Sequence, residues 1–223
     1  YVFNAKAPKY NDFFPGSINI ERAKRGEKLF LKNCAGCHGQ YDKGWSASEN
    51  MEYEQKIKTT KVWYHKRTPV IDVGTDPLRR EGMKYFYKDL NRLKISETIG
   101  TVVQPQGGYV PPPLVGIWAR WPYFHNNSVP TLFDVLTPDY NRPDFYIAVP
   151  AQNKLADFDQ LKNGYPAPSR IRMPFRKNKD YFFNATKAGL SNQGHTEMML
   201  DDRGKEKFSR REKLQIVEFL KTL

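Results

Sequence analysis

Cysteine is almost absent from this chain: its 223 residues hold two, both inside the pentapeptide Cys34-Ala35-Gly36-Cys37-His38. A structural zinc site would need further Cys or His ligands at short spacing. The nearest downstream candidate, His65, has no ligand-type neighbour three to five residues on. A thioredoxin-type dithiol would sit at a strand–helix junction in a βαβ pattern, whereas this motif follows an amphipathic helical stretch. Long apolar runs are also missing. Nothing approaches the roughly 18 residues of a bilayer-spanning helix, so no integral membrane protein is expected. Dense basic blocks are absent too. The 36 Lys and Arg against 24 Asp and Glu give a net charge of +12, but the cations are interleaved with carboxylates, as in Arg210-Arg211-Glu212-Lys213. With no recognisable nucleic-acid module either, no nucleic-acid partner is expected. The opening Tyr1-Val2-Phe3-Asn4-Ala5 does not resemble a secretory signal.

What the pentapeptide does contain is the c-type haem attachment pattern. Two thiols at i and i+3 can each form a thioether to one porphyrin vinyl group, and the imidazole that follows reaches the iron. The reading is one covalently bound haem c held by Cys34 and Cys37, with His38 as proximal ligand. Thioether haem is installed outside the cytoplasm, so the expected location is the bacterial periplasm, with a targeting segment removed before this numbering starts. The positive field suits redox protein partners with an acidic docking surface.

Residues 1–18, with Pro8, Pro15 and Gly16, read as an extended N-terminal arm, and 19–223 as a single monohaem domain. Asn19 is a good N-cap for a helix running to about Asn33 that leads into the haem motif. Ser209 can cap a final helix bearing Leu214, Val217, Phe219 and Leu220. A close crossing of the two through Gly26 and Phe219 is expected. Between them, a helix is predicted to begin near Leu78, bearing Met83, Phe86 and Tyr87, and a short one to run from Thr131 to about Leu136. The stretches from Ser46 to Tyr53 and from Asp157 to Pro168 carry no chemical signal and read as loops.

The run from Pro113 to Leu136, containing Trp121-Pro122-Tyr123-Phe124-His125, resembles haem domains of the bacterial dihaem cytochrome c peroxidase superfamily. Within it, the rubber-oxygenase-like branch is the most similar, through Val73-Gly74-Thr75-Asp76-Pro77, Ser191-Asn192-Gln193-Gly194-His195 and the ending Leu214 to Leu223. The resemblance implies a mainly α, cytochrome c-like haem domain, here with enlarged loop insertions. Those relatives use two haems in one chain, and this chain has cysteines for one. Their two-haem mechanism is therefore not carried over.

Function turns on the sixth iron ligand, because a second strong protein ligand favours electron transfer and an open position permits oxygen or peroxide chemistry. His195, in a polar turn ahead of the last helix, is the first candidate, and the resemblance makes it the counterpart of a distal histidine. Met173, Met198 and Met199 are thioether alternatives, each otherwise a core filler. His125 is expected near the haem, as ligand or as acid–base group beside an open iron. Trp118, Trp121, Tyr123 and Phe124 are candidates to wall the porphyrin, and Arg120 to pair with a haem propionate. The reading is a monohaem electron carrier without catalytic residues of its own. The alternatives are a peroxidase-like or oxygen- or nitric-oxide-binding enzyme, and a haem subunit of a larger oxidoreductase.

Overall fold

The computed structural model describes residues 6–48, 50–67 and 69–223. In chain order these form α1 (Tyr10–Phe13), α2 (Ile20–Asn33), α3 (Ala35–His38), β1 (Gln40–Lys43), α4 (Tyr53–Ile57) and β2 (Thr59–Trp63). There follow α5 (Leu78–Asn91), α6 (Lys94–Ile99), α7 (Leu132–Val135), β3 (Phe145–Ile147), β4 (Phe182–Asn184) and α8 (Arg210–Leu220). Strands β1 and β2 form one antiparallel hairpin and β3 and β4 another, with no larger sheet among the described residues.

The terminal helices start where their caps direct. The Asn19 side chain accepts the Arg22 N–H at 2.8 Å, and Ser209 and Glu212 close a reciprocal capping box on α8. The two helices cross at Gly26, where a Cβ would overlap the Gln215 carbonyl oxygen and lie 3.0 Å from the Ile216 nitrogen. Phe219 is not the partner of Gly26. It lies one turn beyond Gln215, so its ring meets Phe30, one turn beyond Gly26, with centroids 5.1 Å apart. A buried carboxylate adds a second tie. Glu218 accepts the Asn19 backbone N–H at 2.7 Å through one oxygen and bonds Lys221 at 3.0 Å through the other.

The mainly α expectation is overturned. Helix accounts for 38% of the structure and strand for 11%. The reason lies in the long middle of the chain, where most of the 16 prolines and 15 glycines of the sequence fall and punctuate it too often for long helices. It folds as single 3₁₀ turns at Ile117–Ala119, Asp139–Asn141, Pro168–Arg170, Phe175–Lys177, Lys179–Tyr181 and Glu197–Met199. Helices α5 and α6 bury no residue at all.

One main core joins α2 and α8 to Trp45, Trp118, Tyr123, Val129 and Leu132, and a smaller one gathers Ile147, Val149 and Ile171. Residues 1–5 of the expected arm lie outside the described residues. From Tyr10 onward it is anchored: Tyr10, Phe14 and Ile18 are buried, and Tyr10 meets Trp118 edge-on. Of the two unassigned loops, Ser46 to Tyr53 includes Glu49, outside the described residues. Residues 157–168 form turns in which Asp157 pairs with Arg172 and Asp159 with Arg170.

Lys43 is the costliest feature of the hairpin at β1. It is 1% exposed, with its amine donating to Thr59 Oγ1 at 2.8 Å and to the Thr222 carbonyl at 2.7 Å. Burial lowers its pKa to about 7, partly opposed by Glu27. Above about pH 7 the folded chain releases this proton while the unfolded chain keeps it up to about pH 10.4. The unfolding free energy therefore rises across that window. Urea denaturation at both ends of it should show Lys43→Met flattening the rise, and an unchanged slope would contradict the buried amine.

Candidate haem centre

The attachment motif is built at the end of α2. Cys34 closes that helix by donating its N–H to the Phe30 carbonyl at 2.8 Å, and the Cys37 and His38 N–H groups return to the Cys34 carbonyl at 3.1 and 2.9 Å. The resulting single turn, α3, stops at Gly39, whose φ of 78° lies in the left-handed region that glycine enters freely. Cys34 and Cys37 do not pair as a disulfide. Burial pushes the Cys34 thiol up to about 12, against a lowering influence from Lys207. A dithiol redox site needs a thiol pKa pulled down instead. Nor does any group of three or more His, Cys, Asp or Glu converge on a shared point among the described residues, as a zinc site would require.

The His38 ring is oriented by the triple proline. Pro111, Pro112 and Pro113 have no N–H to donate, and two of their carbonyls accept from the motif side. His38 Nδ1 lies 3.1 Å from the Pro112 carbonyl, and the Tyr64 hydroxyl donates to that of Pro111. Tyr41 completes the strap, donating to the His38 carbonyl at 2.9 Å and accepting the Leu114 N–H at 2.6 Å. With Nδ1 engaged as a donor, the lone pair left to bind iron is on Nε2. Burial lowers the His38 pKa, keeping the imidazole in the neutral form a ligand must have, although the Pro112 contact works the other way.

His195 stands opposite. Its ring centroid lies 6.2 Å from that of His38, with the planes at 51°. Two imidazoles bound to one metal through bonds of about 2 Å put their centroids roughly 6 Å apart. The separation of the pair is of that size. The backbone is shaped to hold the ring there. His195 has φ 61°, uncommon for a residue with a side chain. Its N–H donates to the Val73 carbonyl at 2.7 Å, and Gly194 presses on Thr75 so closely that a Cβ would lie 2.9 Å from the Thr75 Cα. The His195 Nδ1 is buried without a partner. Its pKa is pushed down to about 4, first by burial and then by His38 and Arg142.

The other candidates make contacts of their own. His125 stacks on Tyr109 at 5.6 Å with a buried, unpartnered Nδ1, and burial followed by Arg79 lowers its pKa while Asp76 opposes them. Met199 is core, 2% exposed, and Met173 is 54% exposed. Arg120 is exposed and donates to the Val115 carbonyl at 2.9 Å. Trp121 sits edge-on to Tyr165 at 4.6 Å and tilted on Phe158 at 5.4 Å. Phe124, at φ 67°, lies beneath the Arg142 guanidinium, 5.1 Å from ring centroid to carbon. Arg142 itself and the proline strap were missed in the sequence. A lone arginine between Asn141 and Pro143 carries no motif, whereas three successive prolines mark a stiff extended segment whose contact with His38, 74 residues from Pro112, leaves no local trace.

The chain is similar to two proteins of one organism. The protein y4iM of Sinorhizobium fredii is 30% identical over 168 residues, covering 68% of this chain and 35% of its own. A second protein of that organism, y4iJ, is 25% identical over 243 residues, covering 85% of this chain and 36% of its own. The chain thus spans about a third of the length of these relatives, neither of which carries an assigned activity. No helix among the described residues is long and apolar enough to cross a membrane. Residues 108–147, the stretch from the Gly-Tyr turn through Trp121-Pro122-Tyr123-Phe124-His125 to β3, match the family model described as RoxA-like, cytochrome c-like.

Proposed function

We propose that this protein is a periplasmic c-type cytochrome that carries single electrons between redox partners, with one haem c bound by Cys34 and Cys37 and its iron between His38 and His195. The observation that carries the reading is the 6.2 Å separation of the two imidazole centroids. Haem supplies one reversible electron at iron. The chain's own part is to hold two neutral imidazoles at fixed separation, so that little rearrangement accompanies each transfer. Two imidazoles keep the reduction potential lower than an imidazole–methionine pair would. The net charge of +12 speeds encounter with acidic partners and makes that rate fall with salt.

His195→Ala tests the ligation. The oxidised protein should change from low spin to high spin, and the reduced protein, inert to carbon monoxide before the change, should bind it readily. Carbon monoxide binding by the unaltered protein at the variant's rate would reject His195 as a ligand. One observation favours an enzyme instead: the unpartnered His125 Nδ1 could serve as an acid–base group beside an open iron, and that reading requires high-spin iron in the unaltered protein. The limited coverage of both relatives suits a haem unit acting within a larger oxidoreductase, which co-purification would reveal.

A further inference from the structure

The most unusual charge in the molecule is Arg142. It is 6% exposed and lies immediately after the 3₁₀ turn Asp139–Asn141. Its Nε donates to the carbonyls of Asp134 at 3.0 Å and Thr137 at 2.8 Å, both at the end of α7. Nη1 donates to the carbonyls of Asn192 and Gly194, the latter at 2.9 Å, in the turn that presents His195. Nη2 is buried and has no partner. The nearest carboxylates are otherwise engaged: Asp134 accepts the Thr131 hydroxyl at 2.6 Å, and Asp139 accepts the Tyr140 N–H at 2.9 Å. Both moderate the burial that lowers the arginine to about 10, yet neither forms a direct ion pair with it.

A buried guanidinium whose Nε and Nη1 are spent on four carbonyls and whose Nη2 has no partner is an incomplete site. Leaving a charged donor buried and unpaired is costly, and a carboxylate oxygen is the strong acceptor such a donor fits. The covalent haem that Cys34, Cys37 and His38 would hold brings two carboxylates of its own. From these observations we infer that Arg142 is a positioning residue with two tasks: it clamps the 192–194 turn that aims His195, and its Nη2 edge receives a haem propionate. Cofactor seating and distal ligation are thereby linked through one side chain. This rests on the haem reading above. It moves the propionate contact from Arg120, whose guanidinium turns to Val115, to a residue on the opposite side of the Trp121–His125 segment in sequence.

The test uses haem-loaded Arg142→Gln and Arg142→Lys proteins. Resonance Raman spectra should show the propionate bending mode of the unaltered protein shifted to lower frequency in the Gln variant, as its hydrogen bond is lost. The reduction potential should fall in the same variant, because a cation that disfavours the oxidised iron is removed. Lys keeps the charge, so it should restore most of the potential while only one contact to the 192–194 turn can be rebuilt. A propionate mode and potential unchanged in Arg142→Gln would overturn the inference, as would equal losses in both variants, the mark of a structural clamp alone. High-spin iron in the unaltered protein would defeat the His195 ligation instead, and leaves the propionate mode as an independent readout.

Discussion

Cys34→Ser combined with Cys37→Ser should reduce covalently attached haem to background, measured as haem absorbance that stays with the chain after denaturation. Each single variant should keep one thioether and a weakened, spectrally shifted adduct. The expectation follows from geometry. Both thiols leave a single helical turn closed by bonds of 3.1 and 2.9 Å to the Cys34 carbonyl, and the chain has no other cysteine to substitute for them. Burial pushes the Cys34 thiol up to about 12, which disfavours thiolate exchange at that residue. Full retention of haem in the double variant would mean noncovalent binding and would remove the main support for a c-type cytochrome.

Gly26→Val should cost about 3 kcal/mol of unfolding free energy, read from the shift of a urea transition at constant slope. Glycine in mid-helix normally costs roughly 1 kcal/mol relative to alanine, so a substitution would ordinarily help. Here the added Cβ would overlap the Gln215 carbonyl and force α2 away from α8, breaking the fit of Phe30 on Phe219 and pulling Asn19 from Glu218. Because α2 leads directly into Cys34, the haem turn should move with it, and haem incorporation should fall in parallel. A variant as stable as the parent would mean that the helices do not cross at Gly26.

The chemistry of the centre was more legible than its frame. The Cys34–His38 pattern points to a covalent haem because such attachment demands two thiols at one spacing, and the caps at Asn19 and Ser209 are local signals that the structure reproduces. The place of the crossing was readable from Gly26, but not its partner, since backbone contact leaves no trace in side-chain pattern. The helical share was overestimated because apolar residues in the middle of the chain, such as Val129, Ile147 and Val149, belong to bridges, loops and short strands set by proline and glycine rather than to periodic helices. Arg142 was invisible for a different reason. Its partners are the carbonyls of Asp134, Thr137, Asn192 and Gly194, and every residue has a carbonyl. The clasp of Val73 and Thr75 on His195 likewise joins segments far apart in sequence.

The central claim is an iron held between His38 and His195, and the electron paramagnetic resonance spectrum of the oxidised, haem-loaded protein at low temperature tests it most directly. The account predicts a low-spin ferric signal of the kind two imidazoles give, accounting for one iron per chain and lost in His195→Ala. A predominantly high-spin signal in the unaltered protein would contradict it and would mean an open distal position.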